Sequence, residues 1–384
     1  MKKVSKNVKK QILNISFVLL LVGITLAVLL TSNKELNFKD IFSFIKNSNP
    51  WLLAASVLCM IAGIIFEGLC IHIISRKFGH KGRLVSSIAY SSADIYYSAI
   101  TPSATGGQPA SIYYMVKDGM GAGTASFTLL VNAIAYTAAL LILSALAFII
   151  RPAMFAGFEP MVKFFVIFGM AVQTLLLGLF IACMFCNRAV LKLGNGIITL
   201  LTKMHIVKNP DKWRKKVSDE VEKYRNCART IRKHRLLFLN AILLTLAQRV
   251  VRVIISCCIC IAAEPDTSFW DVFVIQSFVI VGYTFLPVPG GVGAFEYLYL
   301  HTYRLIYNSD AFIFSAMMVM RTVSYYFSII VSGIMTLSYH VYLMRRKKPQ
   351  TAALPLQSVN SRRQRRIRMK KKAQRRARLN GSGK

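Results

Sequence analysis

The chain has 384 residues, of which 55% are hydrophobic and only 17% are charged, and its mean hydropathy is +0.49. A water-soluble globule of this size carries more charged residues, so this composition excludes one. The formal net charge of +34 comes from 49 Lys and Arg against 15 Asp and Glu. The composition indicates a membrane protein with strongly basic segments outside the bilayer.

Apolar runs predict the spans. A bilayer core of about 30 Å requires roughly 20 apolar residues in helical conformation. Runs of that length predict six full spans, at residues 12–31, 51–75, 120–150, 161–186, 236–262 and 311–344. The predicted fold class is therefore an all-α polytopic membrane protein. The longest polar stretches, 187–235 and 345–384, are both shorter than an ordinary catalytic domain.

Basic residues predict the topology and the domains. The N-terminus 1–11, the segment 76–83, Lys117, the loop 187–235 and the tail 345–384 carry most of them. By the positive-inside bias these segments are cytoplasmic, and so are both termini. We therefore expect a basic N-terminus, a membrane domain over 12–344 and a disordered basic tail over 345–384.

Two further apolar regions, 84–116 and 269–308, are interrupted by proline and glycine. The first is flanked by segments predicted to be cytoplasmic, and its 33 residues would reach only about 50 Å as one helix, too short for two crossings. We expect a re-entrant hairpin there, and a second one over 269–308 that enters from the external side.

The two hairpins predict an inverted repeat, in which matching broken segments indicate a binding site near the midplane. The alternative is that proline and glycine only kink two packed helices. The predicted turns lie about 184 residues apart, and each pairs prolines with Gly-Gly. The turn residues are Pro102, Gly106, Gly107, Gln108 and Pro109 in the first half, and Pro287, Pro289, Gly290, Gly291 and Gly293 in the second.

Three features carry a resemblance to a known family. They are TPSATGGQPASIYYM at 101–115, FLPVPGGVGAFE at 285–296 and the intramembrane pair Arg249 and Arg252. Over about residues 10–345 the chain resembles the transmembrane, flippase-like domain of the lysylphosphatidylglycerol synthase/flippase family. In full-length members a soluble aminoacyl-transferase domain follows, whereas a basic tail of 40 residues stands in that place here.

The resemblance implies movement of phosphatidylglycerol or its lysyl ester between the leaflets of the bacterial cell (inner) membrane, and resistance to cationic antimicrobial peptides. It would also label the chain a phosphatidylglycerol lysyltransferase. Because the catalytic domain is missing, we expect that enzyme activity only with a separate partner. An exporter of a small anionic solute and a non-transporting scaffold are also compatible with these sequence patterns.

Six ionisable residues are predicted at membrane depth, where a charge costs a few kcal/mol and usually faces a partner or a wet cavity. Arg249 and Arg252 share one helix face, and Arg321 is predicted to join them in holding a lipid phosphate. Glu67, Asp94 and Glu296 are predicted to balance those charges or to hold a headgroup amine. The alternative is that Asp94 with Arg252, or Glu67 with Arg249, forms a buried ion pair that only fixes helix packing.

The remaining motifs predict no catalytic residues, no metal site and no cofactor. Cys183 and Cys186 have CxxC spacing but lie in an apolar run with no second pair nearby, so they are expected to be core residues. The basic tail is expected to lie on anionic lipid rather than to bind a specific nucleic acid. The expected partner is an anionic phospholipid, phosphatidylglycerol or lysyl-phosphatidylglycerol. A separate aminoacyl-transferase and a second copy of the chain are further candidates.

Overall fold

A computed structural model describes residues 38–101, 104–185, 222, 226–229, 231, 235–286 and 288–345. The first predicted span, the basic N-terminus, most of the loop 187–235 and the tail after Arg345 lie outside the described residues. Those described are overwhelmingly helical and contain no strand. They confirm an all-α, multi-pass membrane protein.

Five predicted spans are confirmed as long apolar helices. They are α2 (Pro50–Lys77), α5 (Ala122–Ile150), α7 (Pro160–Phe185), α8 (Arg235–Ala263) and the last span, which comprises α11 (Asp310–Arg321), a π-helical turn (Thr322–Phe327) and α12 (Ser328–Arg345). Each is long enough to cross a bilayer. Two helices that the sequence did not predict, α1 (Phe38–Asn47) and α6 (Pro152–Gly157), lie in the segments between spans.

Each interrupted region folds as two short helices joined by a turn. The first hairpin comprises α3 (Leu84–Ala99) and α4 (Gly107–Lys117), and the second comprises α9 (Phe269–Thr284) and α10 (Ala294–Tyr303). The longer arms have 16 residues, or about 24 Å, which is less than the hydrocarbon thickness of about 30 Å. Because no single arm can cross a bilayer, the helix lengths agree with the predicted hairpins.

The two halves repeat the same order of helices. Helices α2 and α8 have 28 and 29 residues, and the arms α3 and α9 have 16 each. The second set lies about 185 residues after the first. Helices α2 and α8, which hold equivalent places, pack against each other over most of their length. This order is what an inverted repeat requires, while the opposite orientation of the halves in the bilayer stays a prediction.

The second hairpin lies in the core. Every residue of α9 from Val272 to Gly282 is buried, so this arm is surrounded by helices on all sides. Its turn reverses at three glycines with positive φ: Gly290 (64°), Gly291 (63°) and Gly293 (89°). Side chains other than glycine rarely adopt this conformation, which explains why glycines recur here. Pro289 begins a 3-10 turn between the arms, and Pro287 lies outside the described residues.

The first hairpin closes through a close approach at Gly107. A Cβ atom on Gly107 would overlap Asp94 Oδ1 and Ser98 Oγ on the facing arm. The arms are also joined by the Ser111 hydroxyl, which donates to the Tyr90 carbonyl at 3.0 Å. Glycine at 107 therefore brings the returning arm against Asp94. Pro102 lies outside the described residues.

We expect Gly107→Ala to destabilise the protein, because the added methyl group overlaps Asp94 and Ser98. Overpacking of this kind costs about 1–3 kcal/mol. Thermal unfolding in detergent, followed by intrinsic fluorescence, measures the effect. Gly178→Ala is the matched control, since its Cβ would meet no atom within 4 Å. An equal change in both variants would contradict the close approach.

Candidate functional site

A cavity of about 270 Å³ lies between the turns of the two hairpins. The first hairpin contributes residues from α3 and Ala104, and the second contributes Gly290. Helices α2, α5 and α8 and the last span complete the wall. Its polar and charged lining side chains are Glu67, Asp94, Ser98, Tyr136, Arg249, Arg252, Ser324, Tyr325 and Ser328.

Helix α8 supplies the cationic side of this cavity through Arg249 and Arg252. Both Nε atoms are buried and have no hydrogen-bond partner among the described residues. No described carboxylate lies within 4.0 Å of either guanidinium. The Arg249 guanidinium lies 4.4 Å from the centroid of the Tyr136 ring, a cation–π contact that fixes its orientation. The two cations thus have hydrogen-bonding capacity to spare.

Arg252 packs against α2 near Gly63. A Cβ at Gly63 would lie 3.5 Å from Arg252 Cγ and Nε, so the arginine packs directly over the backbone of α2. The neighbouring Gln248 on α8 donates to Glu67 Oε2 at 2.8 Å. These contacts fix Arg252 and Glu67 at the interface between α2 and α8.

Glu67 and Asp94 supply the acidic side. Glu67 comes from α2 and Asp94 from the entering arm of the first hairpin, where Gly107 packs against it. Neither carboxylate forms an ion pair with a described side chain. The buried ion pairs that the sequence also allowed, Asp94 with Arg252 and Glu67 with Arg249, are therefore not formed within 4.0 Å. Two carboxyl groups and two guanidiniums share one cavity without direct contact.

Arg321 and Glu296 have a different arrangement, because they bind each other. Arg321 Nη2 lies 2.6 Å from Glu296 Oε1, and Nε donates to the same oxygen at 2.8 Å. Arg321 Nη1 donates to the Gly290 carbonyl at 2.6 Å, and Glu296 Oε2 accepts the Gly293 N–H at 2.7 Å. Both side chains are 6% exposed. This pair holds the turn of the second hairpin against the last span.

The predicted site residues therefore fall into two groups, those that line the cavity and those that do not. The structure brings Glu67, Asp94, Arg249, Arg252 and Gly290 around one cavity. Arg321 and Glu296 instead bind each other at the turn of the second hairpin, and neither lines the cavity. Gln108 and Pro109 are exposed and do not line it either. Among the described residues, no group of three potential ligands could hold a metal ion.

Sequence reasoning missed the aromatic and hydroxyl lining of the cavity. Tyr136 comes from the middle of an apolar span, and Ser324, Tyr325 and Ser328 come from the π-helical turn and its end. π-helical turns occur frequently at functional sites, because the extra residue re-aims the side chains of one turn. The sequence of the last span does contain a polar pattern, because Ser324 and Ser328 are four residues apart and share a helix face.

The comparison with protein families agrees with this architecture. The model of the lysylphosphatidylglycerol synthase TM region matches residues 15–332. The chain belongs to this family. The match covers the described spans up to α12, both hairpins and every charged residue of the cavity, so the family resemblance carried by the two Gly/Pro motifs is confirmed. No curated protein sequence matches the chain.

The different contacts of the arginines predict that only the loss of Arg321 lowers stability. We expect Arg321→Gln to lower the free energy of unfolding by about 3–5 kcal/mol, because Glu296 would keep a buried charge without its partner. Arg249→Gln/Arg252→Gln should cause no such loss, since neither arginine neutralises a carboxylate in contact. Thermal unfolding in detergent compares the variants. Equal destabilisation would show that all three arginines are structural.

Proposed function

We propose that this protein moves an anionic phospholipid, phosphatidylglycerol or its lysyl ester, between the leaflets of the bacterial inner membrane. One observation carries the proposal: the cavity between the hairpin turns holds two arginines whose Nε atoms are buried and which no described carboxylate neutralises. A buried cation without a partner is costly in a membrane, so a site that retains two is suited to an anionic ligand.

A phosphodiester is the ligand that these arginines fit best. The guanidinium is planar and presents a fork of donors that matches two phosphate oxygens, and the resulting charge-assisted hydrogen bonds are strong. Arg249 and Arg252 are three residues apart on α8 and both line the cavity. Two guanidiniums on one helix face can hold one phosphate from the same side.

The carboxyl groups of Glu67 and Asp94 suit the amines of a lysyl headgroup. Glu67 and Asp94 line the same cavity as the arginines and form no ion pair with them. When the site is empty they balance the two positive charges at a distance. When a lysyl ester is bound, they can accept hydrogen bonds from its amines while the arginines hold its phosphate. The four charges together suit a headgroup that carries both signs.

The cavity size indicates how the lipid would be handled. About 270 Å³ accommodates a polar headgroup but not two acyl chains, so the chains would stay in the bilayer. The hairpin turns on either side of the cavity are the elements that would open it to one leaflet or the other. Outward movement of a cationic lipid would lower the negative surface charge that attracts cationic antimicrobial peptides.

Leaflet exchange in proteoliposomes tests this proposal. Headgroup-labelled phosphatidylglycerol and its lysyl ester should exchange rapidly with the native chain. In Arg249→Gln/Arg252→Gln both rates should fall at least about tenfold, because each lost charge-assisted hydrogen bond is worth roughly 1.5–3 kcal/mol.

Arg304→Gln is the control, since it removes an arginine that forms an exposed ion pair with Asp310. Exposed pairs contribute little, so exchange should be unchanged. Exchange of neither lipid by correctly folded protein would refute lipid movement. Uptake of a water-soluble phosphodiester in place of lipid would favour the exporter of a small anionic solute.

A further inference from the structure

Buried hydroxyl groups in this protein fall into two classes. Several buried serines and threonines donate to the carbonyl four residues earlier, as Thr137, Ser144, Ser277 and Thr302 do at 2.6–2.8 Å. Ser328, Ser332 and Thr336 of α12 do not. These residues are at most 2% exposed, and their hydroxyl oxygens have no hydrogen-bond partner among the described residues.

These three hydroxyl groups form a row. They are four residues apart, so they lie on one face of α12. At one end, Ser328 lines the charged cavity. At the other end, three residues beyond Thr336, the Tyr339 hydroxyl donates to Asp118 Oδ2 at 2.9 Å. We call Ser328, Ser332 and Thr336 the hydroxyl row.

The first hairpin forms the opposite wall. Gly333 of α12 lies against Tyr96 of α3, because a Cβ there would be 3.1 Å from the tyrosine ring. Ser92 precedes Tyr96 by four residues and therefore shares its helix face. Ser92 is 1% exposed, and its hydroxyl oxygen also lacks a described partner. From the contact between Gly333 and Tyr96 and this spacing, we place Ser92 and the hydroxyl row in the seam between α3 and α12.

A titratable cluster stands at the far end of the row. Asp118 Oδ2 accepts hydrogen bonds from Tyr90 at 2.6 Å and from Tyr339 at 2.9 Å, and His80 Nε2 lies 3.8 Å away. Beside them Tyr114 and His340 are 3.3 Å apart, and the following turn of α4 carries the exposed Lys117. His80 belongs to the basic segment predicted to be cytoplasmic.

The state of His80 suits proton exchange with water. Burial lowers the pKa of its imidazole, and the Asp118 carboxylate opposes part of that shift. A neutral imidazole at pH 7 can accept a proton and release it again. The side chain of His80 is 11% exposed and that of Asp118 is 3% exposed. The cluster therefore contacts the surface at His80 while Asp118 faces inward.

Buried hydroxyls without a partner cost about 1–3 kcal/mol each, which makes four in one dry seam expensive. Water that bridges polar groups removes this cost, and a water chain with hydroxyl groups conducts protons. We infer that the seam between α3 and α12 is a hydrated proton path, which joins the Asp118 cluster to Glu67 and Asp94 in the cavity. This inference rests on the proposed function.

The path couples proton movement to lipid movement by competition. A carboxylate oxygen of Asp94 or Glu67 can hold either a proton or the amine of a lysyl headgroup, while Arg249 and Arg252 across the cavity hold the phosphate. After the headgroup leaves on the external side, the carboxylate takes a proton from external water. That proton then passes along the hydroxyl row to cytoplasmic water, and the freed carboxylate binds the next amine. One proton enters for each lysyl lipid that leaves.

Proton flux and lipid exchange measured in the same proteoliposomes test this coupling. The full chain is reconstituted in phosphatidylglycerol containing its labelled lysyl ester, with a pH-sensitive dye inside. Native protein should carry protons only when lysyl lipid is present, and an imposed pH gradient should accelerate lipid exchange. Ser328→Ala/Ser332→Ala/Thr336→Val should reduce the proton flux by about tenfold or more, since three of the polar groups that hold the water are lost.

The matched control is Thr137→Val/Ser144→Ala/Ser277→Ala, which removes the same three groups where the backbone satisfies them. Its proton flux should equal that of the native chain. If the row variant does not fold, Ser332→Ala alone should still show a lower flux.

Three results would distinguish failure of the proton coupling from failure of the proposed lipid movement. Lipid exchange without proton flux in the native chain would overturn the coupling and leave the proposed function standing. A row variant that gains stability and keeps its proton flux would show that the seam is dry, and would also overturn it. Absence of lipid exchange from the native chain would refute the proposed function, and the coupling with it.

Discussion

The cost of burying a charge in a membrane governs this structure. Arg321 meets that cost by binding Glu296 and the Gly290 carbonyl, so it serves the packing of the second hairpin. Arg249 and Arg252 have no such partner within 4.0 Å among the described residues, although the Nε atoms of both are buried. Three arginines of one membrane domain therefore have two different environments, and the unneutralised pair is where we propose that an anionic ligand binds.

The hairpins place the other charges around that pair. The close approach at Gly107 puts the returning arm of the first hairpin against Asp94, and the positive-φ glycines of the second allow its turn to reach the cavity at Gly290. Helices α2 and α8, which hold equivalent positions in the two halves, bring Glu67 and Arg252 to their shared interface. Equivalent helices of the two halves thus line one cavity.

Sequence patterns predicted the spans and hairpins because helix length and Gly/Pro interruption are local properties. They also selected Glu67, Asp94, Arg249 and Arg252, since a charge in an apolar run is conspicuous. They did not reveal that Glu296 binds Arg321, because that contact depends on how the second hairpin packs against the last span. Tyr136 and the π-helical turn were missed for the same reason. The amphipathic α1 was missed because it is too short to resemble a span.

We propose that Arg249 and Arg252 bind the phosphate of an anionic phospholipid. Stabilisation by a short-chain phosphatidylglycerol tests it most directly, because a ligand that binds only the folded state raises the unfolding temperature. The lipid should raise the unfolding temperature of the native chain in a neutral detergent more than phosphatidylcholine does, and Arg249→Gln/Arg252→Gln should abolish that difference. An equal shift in the native chain and the double variant would contradict the claim.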